Sequence, residues 1–242
     1  MNGRKIVALL VAISLLALIS SCSNNTNNPI STQNPQPKEL NVPTVSVPGA
    51  MLNSTDENVK TAISYINIVN NFKNYLTYFT PSANSKFNST AGEWTWTSGP
   101  LAITLIEKNV DGKANWTVKL NGSDGKFSYS DWTIATAEET SDNNSGHIVV
   151  YKPVSKVSKD MLGQWDWHVD ANKKVTFGAF DFDKNVKTEL SVNPDQSGKL
   201  KIYFSVKGFS LLQYKVQWTS NGSGQWWSYD NTGKEVGSGS WF

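Results

Sequence analysis

From Gly92 to Phe242 the chain alternates between apolar and polar residues in short runs, and glycine-bearing turns separate the runs. Trp116-Thr117-Val118-Lys119-Leu120, Leu200-Lys201-Ile202-Tyr203-Phe204-Ser205-Val206 and Tyr214-Lys215-Val216-Gln217-Trp218 each place apolar side chains on one face of an extended strand. Asp111-Gly112, Asn121-Gly122, Asp124-Gly125, Ser197-Gly198, Asn221-Gly222 and Asn231-Thr232-Gly233 supply the turns between them. No helical pattern long enough for a parallel crossover intervenes, so neighbouring strands run antiparallel. The expectation is a mainly β fold, an antiparallel meander of about 10–12 strands. One face is apolar, which predicts that the sheet closes as a barrel or a sandwich. A barrel with a cavity suits a small ligand, and a filled sandwich suits surface recognition.

A Trp-bearing phrase occurs three times in this region. It reads Gly92-Glu93-Trp94-Thr95-Trp96, Gly163-Gln164-Trp165-Asp166-Trp167 and Gly224-Gln225-Trp226-Trp227. Similar β-type sequence follows the first two copies, which reads as a diverged tandem duplication with halves at about 92–153 and 163–242. The segment Val154 to Leu162 joins the halves and is the expected break in strand order. Within Gly224–Phe242, Gly-x-Trp followed by Tyr229-Asp230-x-x-Gly233-Lys234 resembles a MORN-type hairpin, a resemblance that carries no function.

Before the β-region, residues 1–22 combine a basic start (Arg4, Lys5), an apolar run from Ile6 to Ile19 and the ending Ile19-Ser20-Ser21-Cys22. The run is shorter than a comfortable bilayer span of about 30 Å. This stretch resembles the bacterial lipoprotein signal, with an aliphatic residue at −3, small residues before the cleavage point and a cysteine after it. The resemblance implies removal of residues 1–21 and lipidation of Cys22, which anchors the chain to a membrane of the bacterial cell envelope. Ser23 stands where an Asp would favour inner-membrane retention in some members, which leans towards the outer membrane. Cys22 is the only cysteine, so no disulfide can form within the chain.

Residues 22–50 are rich in Asn, Ser, Thr, Gln and Pro, a composition expected of a disordered tether between anchor and domain. The domain itself is expected over 51–242. Ser54 and Glu57 fit a capping box, with Ser54 as N-cap. Val59, Ile63, Ile66, Val69, Phe72, Leu76 and Phe79 then recur at helical spacing up to Pro81. This predicts one amphipathic helix of about six turns packed on the sheet.

Arg4 and Lys5 account for the whole excess of 22 basic over 20 acidic residues, so the remainder is balanced and nucleic acid is not an expected partner. Among the ten Trp, the paired residues Trp94, Trp96, Trp165, Trp167, Trp226 and Trp227 are the candidate ligand-binding set. Trp rings stack on sugars or line apolar pockets, and they also fill cores. Trp226 and Trp227 are adjacent and must point to opposite faces. His147 and His168, the only histidines, stand in no metal-ligand spacing, and Asp181-Phe182-Asp183-Lys184-Asn185 reads as a turn, so neither metal nor cofactor is expected. No nucleophile elbow, zinc motif or phosphate loop occurs. The expectation is a non-enzymatic envelope lipoprotein whose β-domain binds an apolar or carbohydrate ligand or another envelope component. Alternatives are a structural or assembly lipoprotein with a protein partner and, third, a glycosidase using Glu93, Asp166 or Glu189.

Overall fold

The structure is a computed structural model that describes residues 34–153, 160–206 and 209–242. The leader, Cys22 with its expected lipidation, and the first part of the expected tether lie outside the described residues. One compact unit spans Asn34–Phe242. Its strands are β1 (Lys86–Asn88), β2 (Glu93–Ser98), β3 (Leu101–Val110), β4 (Lys113–Ser123), β5 (Ser128–Thr140), β6 (Ser145–Tyr151), β7 (Met161–Val169), β8 (Val175–Asp181), β9 (Val186–Val192), β10 (Gly198–Val206), β11 (Phe209–Trp218), β12 (Gly224–Tyr229) and β13 (Glu235–Trp241). All thirteen form one antiparallel sheet in strict sequence order. The expected break at Val154 to Leu162 is absent, because β6 pairs directly with β7 from Ser145↔His168 to Tyr151↔Met161.

The sheet is not closed: β1 and β13 form its two edges. The apolar face is instead covered by residues that precede the sheet in the chain. One cross-strand row on this inner face reads Glu139, Gly146, Trp167, Phe177, Leu190, Leu200, Val216 and Trp226, from β5 to β12. Leu200 and Val216 are fully buried, each stabilising the fold by about 1.5–3 kcal/mol.

Two segments cross the inner face. The first, residues 34–48, is an extended strap and not a disordered tether. Trp94 Nε1 donates to the Pro35 carbonyl at 2.7 Å, the Lys38 N–H to Glu107 Oε2 at 2.8 Å and the Asn41 N–H to Glu139 Oε1 at 2.8 Å. Leu40 and Val45 are buried, which offsets the ordering entropy that the Pro- and Asn-rich composition otherwise leaves uncompensated. The Asn70 side chain mimics a strand, accepting from Val45 N–H at 3.1 Å and donating to its carbonyl at 2.9 Å.

After a short helix α1 (Gly49–Leu52), helix α2 (Glu57–Asn71) returns across the sheet. Its N-cap is Asp56, not Ser54. The Asp56 carboxylate accepts from the N–H groups of Asn58 and Val59, and Ser54 Oγ accepts from the N–H of Asp56. A carboxylate at this position also favours the helix dipole. Val59, Ala62, Ile66 and Val69 form the buried stripe. At Phe72 the chain tightens into a 3₁₀ segment, Phe72–Phe79. Three residues per turn align Phe72, Tyr75 and Tyr78 on one edge, at centroid separations of 6.1 and 6.2 Å. Fifteen α and eight 3₁₀ residues extend over about 38 Å, and β4 to β11 spans seven strand spacings, about 34 Å. The helical stretch is therefore long enough to cross most of the sheet. Tyr214 of β11 holds its start, donating to the Asn58 carbonyl at 2.7 Å, and Trp165 of β7 stacks at 4.6 Å on Phe72, where the 3₁₀ segment begins.

Candidate functional site

The three Trp phrases open β2, β7 and β12, five strands apart in each case. That places them roughly 24 Å apart along the sheet, so the six candidate indoles do not form one site. Five belong to the inner face. Trp94 is buried beside Phe87, and Trp96 packs against the same core. Trp165 stacks on Phe72 and meets Tyr75 at a tilt, Trp167 is buried, and Trp226 packs over Gly237 and Gly239.

Glycine seats three of the inner indoles. Gly146, Gly198 and Gly224 lie directly opposite Trp167, Trp218 and Trp241. A Cβ on any of these glycines would stand 2.3–2.4 Å from indole Cζ2. Trp218 Nε1 donates to the Gln196 carbonyl at 2.7 Å, and Trp241 Nε1 to that of Gly222 at 2.6 Å. Both acceptors are the left-handed residue closing the neighbouring turn, Gln196 at φ 67° and Gly222 at φ 89°. In the β5–β6 turn the left-handed residue is Asn143, and Asn144 adds one residue before Ser145-Gly146. The Asn144 carbonyl accepts from Val169 N–H instead. Trp167 Nε1 thus has no hydrogen-bond partner among the described residues, as also holds for Trp116, Trp132 and Trp165.

Trp227 alone of the six lies on the outer face. Lys201 of β10, Lys215 of β11, Trp227 of β12 and Ser238 of β13 are successive cross-strand partners. The parallel row above reads Lys199, Gln217, Gln225 and Ser240. Lys215 Nζ sits 4.0 Å from the Trp227 ring centroid, a cation–π contact that fixes one side of the indole. On the β13 side an open depression of about 250 Å³ is lined by Gln225, Trp227, Ser238, Gly239 and Ser240. It joins an indole to an amide and two hydroxyls, groups that both donate and accept hydrogen bonds. Sequence reading placed one indole of the Trp226–Trp227 pair outward but missed Lys201, Lys215, Ser238 and Ser240, which only register brings together.

A second depression of about 200 Å³ lies further along the same face, where Gly178 leaves space between Asp166 and Glu189; Gln164, Phe180, Phe182 and Lys187 border it. Asp166 accepts twice from the Gln164 amide, at 3.1 and 3.0 Å. Burial raises the Glu189 carboxyl, but hydrogen bonds from Lys187 and Tyr203 and the Lys187 and Lys201 charges outweigh it and hold the group below its ordinary value. A general acid needs the opposite shift. Glu93, the third carboxylate, stands on β2, in a separate part of the sheet.

The turn Asp181–Asn185 connects β8 and β9, with Asp181 Oδ1 accepting from the N–H groups of Asp183 and Lys184. Among the described residues no group of three or more His, Cys, Asp or Glu side chains is placed to hold a metal ion, and no helix is long and apolar enough to cross a membrane. No protein-family model matches the sequence, and no curated protein matches it.

Proposed function

We propose that this chain is a lipid-anchored protein of the bacterial cell envelope that binds carbohydrate on the outer face of β10–β13. The lipoprotein-like leader ending at Cys22 supports the anchor, in an outer membrane on the reading of Ser23. A diverged duplication behind the β2, β7 and β12 spacing belongs to the same reading. The observation that carries the binding function is Trp227. It is held on one side by Lys215 and bordered on the other by Gln225, Ser238 and Ser240. A pyranose ring needs such a combination, an aromatic surface for its C–H groups and polar side chains for its hydroxyls.

Affinity electrophoresis of the full chain in detergent, through gels carrying soluble envelope glycans, tests this. Wild type is expected to be retarded, and Trp227→Ala to lose most of the retardation while keeping its circular dichroism. Equal retardation of both would place any glycan site elsewhere. A protein partner is the second reading, favoured by Phe209 and Phe204, which are 73% and 39% exposed on the β10–β11 hairpin. A stoichiometric protein recovered from crosslinked envelopes, lost in Phe209→Ser, would support it.

A further inference from the structure

The carbohydrate face carries an arrangement of charge that the fold itself does not need. Lys201 and Lys215 are direct cross-strand partners on one face of the sheet. Like charges so placed destabilise strand pairing. Lys199 lies two residues from Lys201 on the same strand and face, partnered by Gln217. Burial and then the charges of Lys201, Lys215 and Lys174 hold the Lys199 ammonium below its ordinary value. The nearest carboxylate in the row is Glu189, the partner of Lys201 on β9. Its oxygens are already engaged, by Lys187 Nζ at 2.8 Å and Tyr203 Oη at 3.0 Å. Beyond Lys215 the row continues through Trp227 and Ser238, and the row above through Gln225 and Ser240, with no acidic residue in either stretch. Lys215 thus sits against Trp227, Lys201 and Lys199 lie one strand further along the same face, and Glu189, the nearest carboxylate in the row, is shared with Lys187.

We infer that the glycan taken by this face is anionic, a polysaccharide bearing carboxylate or phosphate groups whose sugar ring lies against Trp227 while its charge is neutralised by Lys201 and Lys215. This rests on the carbohydrate reading of the same site and adds the class of sugar. An anionic membrane surface would supply the same charge. The residues beside the lysines are, however, one indole, two glutamines and two serines, groups that match a sugar better than acyl chains.

The test uses four polysaccharides, with polyglutamate as a polyanion control, in affinity electrophoresis of the full chain in detergent. They are polygalacturonate, its fully methyl-esterified form, phosphomannan and neutral mannan. Retardation is expected with at least one acidic polymer and to fall as salt rises. The matched neutral polymer should retard about tenfold less, and Lys201→Gln/Lys215→Gln should lose about tenfold of the acidic-polymer affinity. That double variant should melt no lower than wild type, since a like-charge pair has been removed. Equal retardation by acidic and neutral polymers would overturn the charge inference and leave the carbohydrate reading standing. No retardation by either acidic polymer also overturns it; if every neutral glycan fails too, the carbohydrate reading falls with it. Polyglutamate that retards wild type and Trp227→Ala alike would mark a face for any polyanion. Displacement of polygalacturonate by glycerol phosphate at millimolar concentration, but not by galacturonate, would move the assignment to a lipid headgroup. Either result overturns the proposal.

Discussion

The same substitution, Gly to Ala, should have opposite signs at two positions of this sheet. At Gly198 an added Cβ would stand 2.4 Å from Cζ2 of Trp218, 2.8 Å from its Cε2 and 2.7 Å from the Ser191 carbonyl oxygen. Trp218 is only 4% exposed, so the ring has no free volume to retreat into. Overpacking of this kind costs about 1–3 kcal/mol. Rotation of the indole would also break its bond to the Gln196 carbonyl, and an unpaired buried N–H costs about another 1–3 kcal/mol. Against this, replacing a strand glycine recovers about 0.5–1 kcal/mol of backbone entropy. The net expectation for Gly198→Ala is a loss of about 2–4 kcal/mol, or a melting temperature lower by roughly 5–15 °C for a domain of this size. At Gly178 the nearest atoms to an added Cβ are Asp166 Oδ2 at 3.7 Å and Cβ at 3.9 Å, ordinary van der Waals contacts. Gly178→Ala should therefore stabilise by about 0.4–1 kcal/mol. Urea titration of both variants with the wild type, read by circular dichroism, gives the two free energies. A change below about 0.5 kcal/mol for Gly198→Ala, or a loss at Gly178 as large as that at Gly198, would refute the claim that glycine is present to seat an indole.

The strap should fail asymmetrically. Glu139 is fully buried, accepting from Asn41 N–H at 2.8 Å and lying 3.0 Å from the Lys38 ammonium, which is one-third exposed. Lys38→Met leaves that carboxylate buried without its cation and should cost about 3 kcal/mol or more, whereas Glu139→Gln keeps an acceptor for Asn41 and should cost about 1–2. Urea denaturation of both variants checks the order, and a larger loss for Glu139→Gln would contradict it. At alkaline pH, Tyr129 is the group to watch, because burial and then its hydrogen bond to Asp124 push the phenol up to about 12. Its folded pKa is raised, so the stability it contributes is complete below about pH 10 and is lost as pH rises through about 12. Melting curves should show that decline in wild type and less of it in Tyr129→Phe, and identical profiles would count against the assignment.

Strand content and direction were legible because β4, β10 and β11 keep a clean two-residue period between turns marked by glycine, Asn or Asp. What covers the sheet was harder to read. An apolar face announces that it must be hidden but does not name its cover, and closure is one solution among several. Here the helix and 3₁₀ segment, about 38 Å long, reaches over the seven strand spacings from β4 to β11, and the strap covers more of the same face. The strap had a signal of its own. Leu40, Val42, Val45 and Val47 recur every second or third residue, masked by Pro37, Pro43 and Pro48. The helix start was misplaced because Ser54 and Asp56 are both good caps, and only the geometry shows which one reaches the first free N–H groups. The extension of the helix as a 3₁₀ segment follows from Asn67, Asn70, Asn71 and Asn74, weak helix formers. The spacing of Phe72, Tyr75 and Tyr78 also suits three residues per turn.

The candidate site lay further beyond reach, for a reason specific to sheets. That Trp226 and Trp227 face opposite ways follows from adjacency alone. Which one faces outward depends on β12 pairing Trp226 with Gly239, where the missing side chain gives the indole a seat on the inner face. The Lys201, Lys215 and Trp227 row depends on more, because the β10–β11 ladder shifts register between Ile202 and Tyr203. A pairing error of one residue sends every later side chain to the other face. The lysines would then fall among the core residues, and Val216 and Trp218 would fall in solvent. Burial of Val216 and Trp218 thus enforces the register that holds two like charges together. The core can carry that local penalty because it is large and the repulsion between half-exposed ammonium groups is small. A ligand of opposite charge bound across Lys201 and Lys215 would remove that small repulsion as well as adding an attraction.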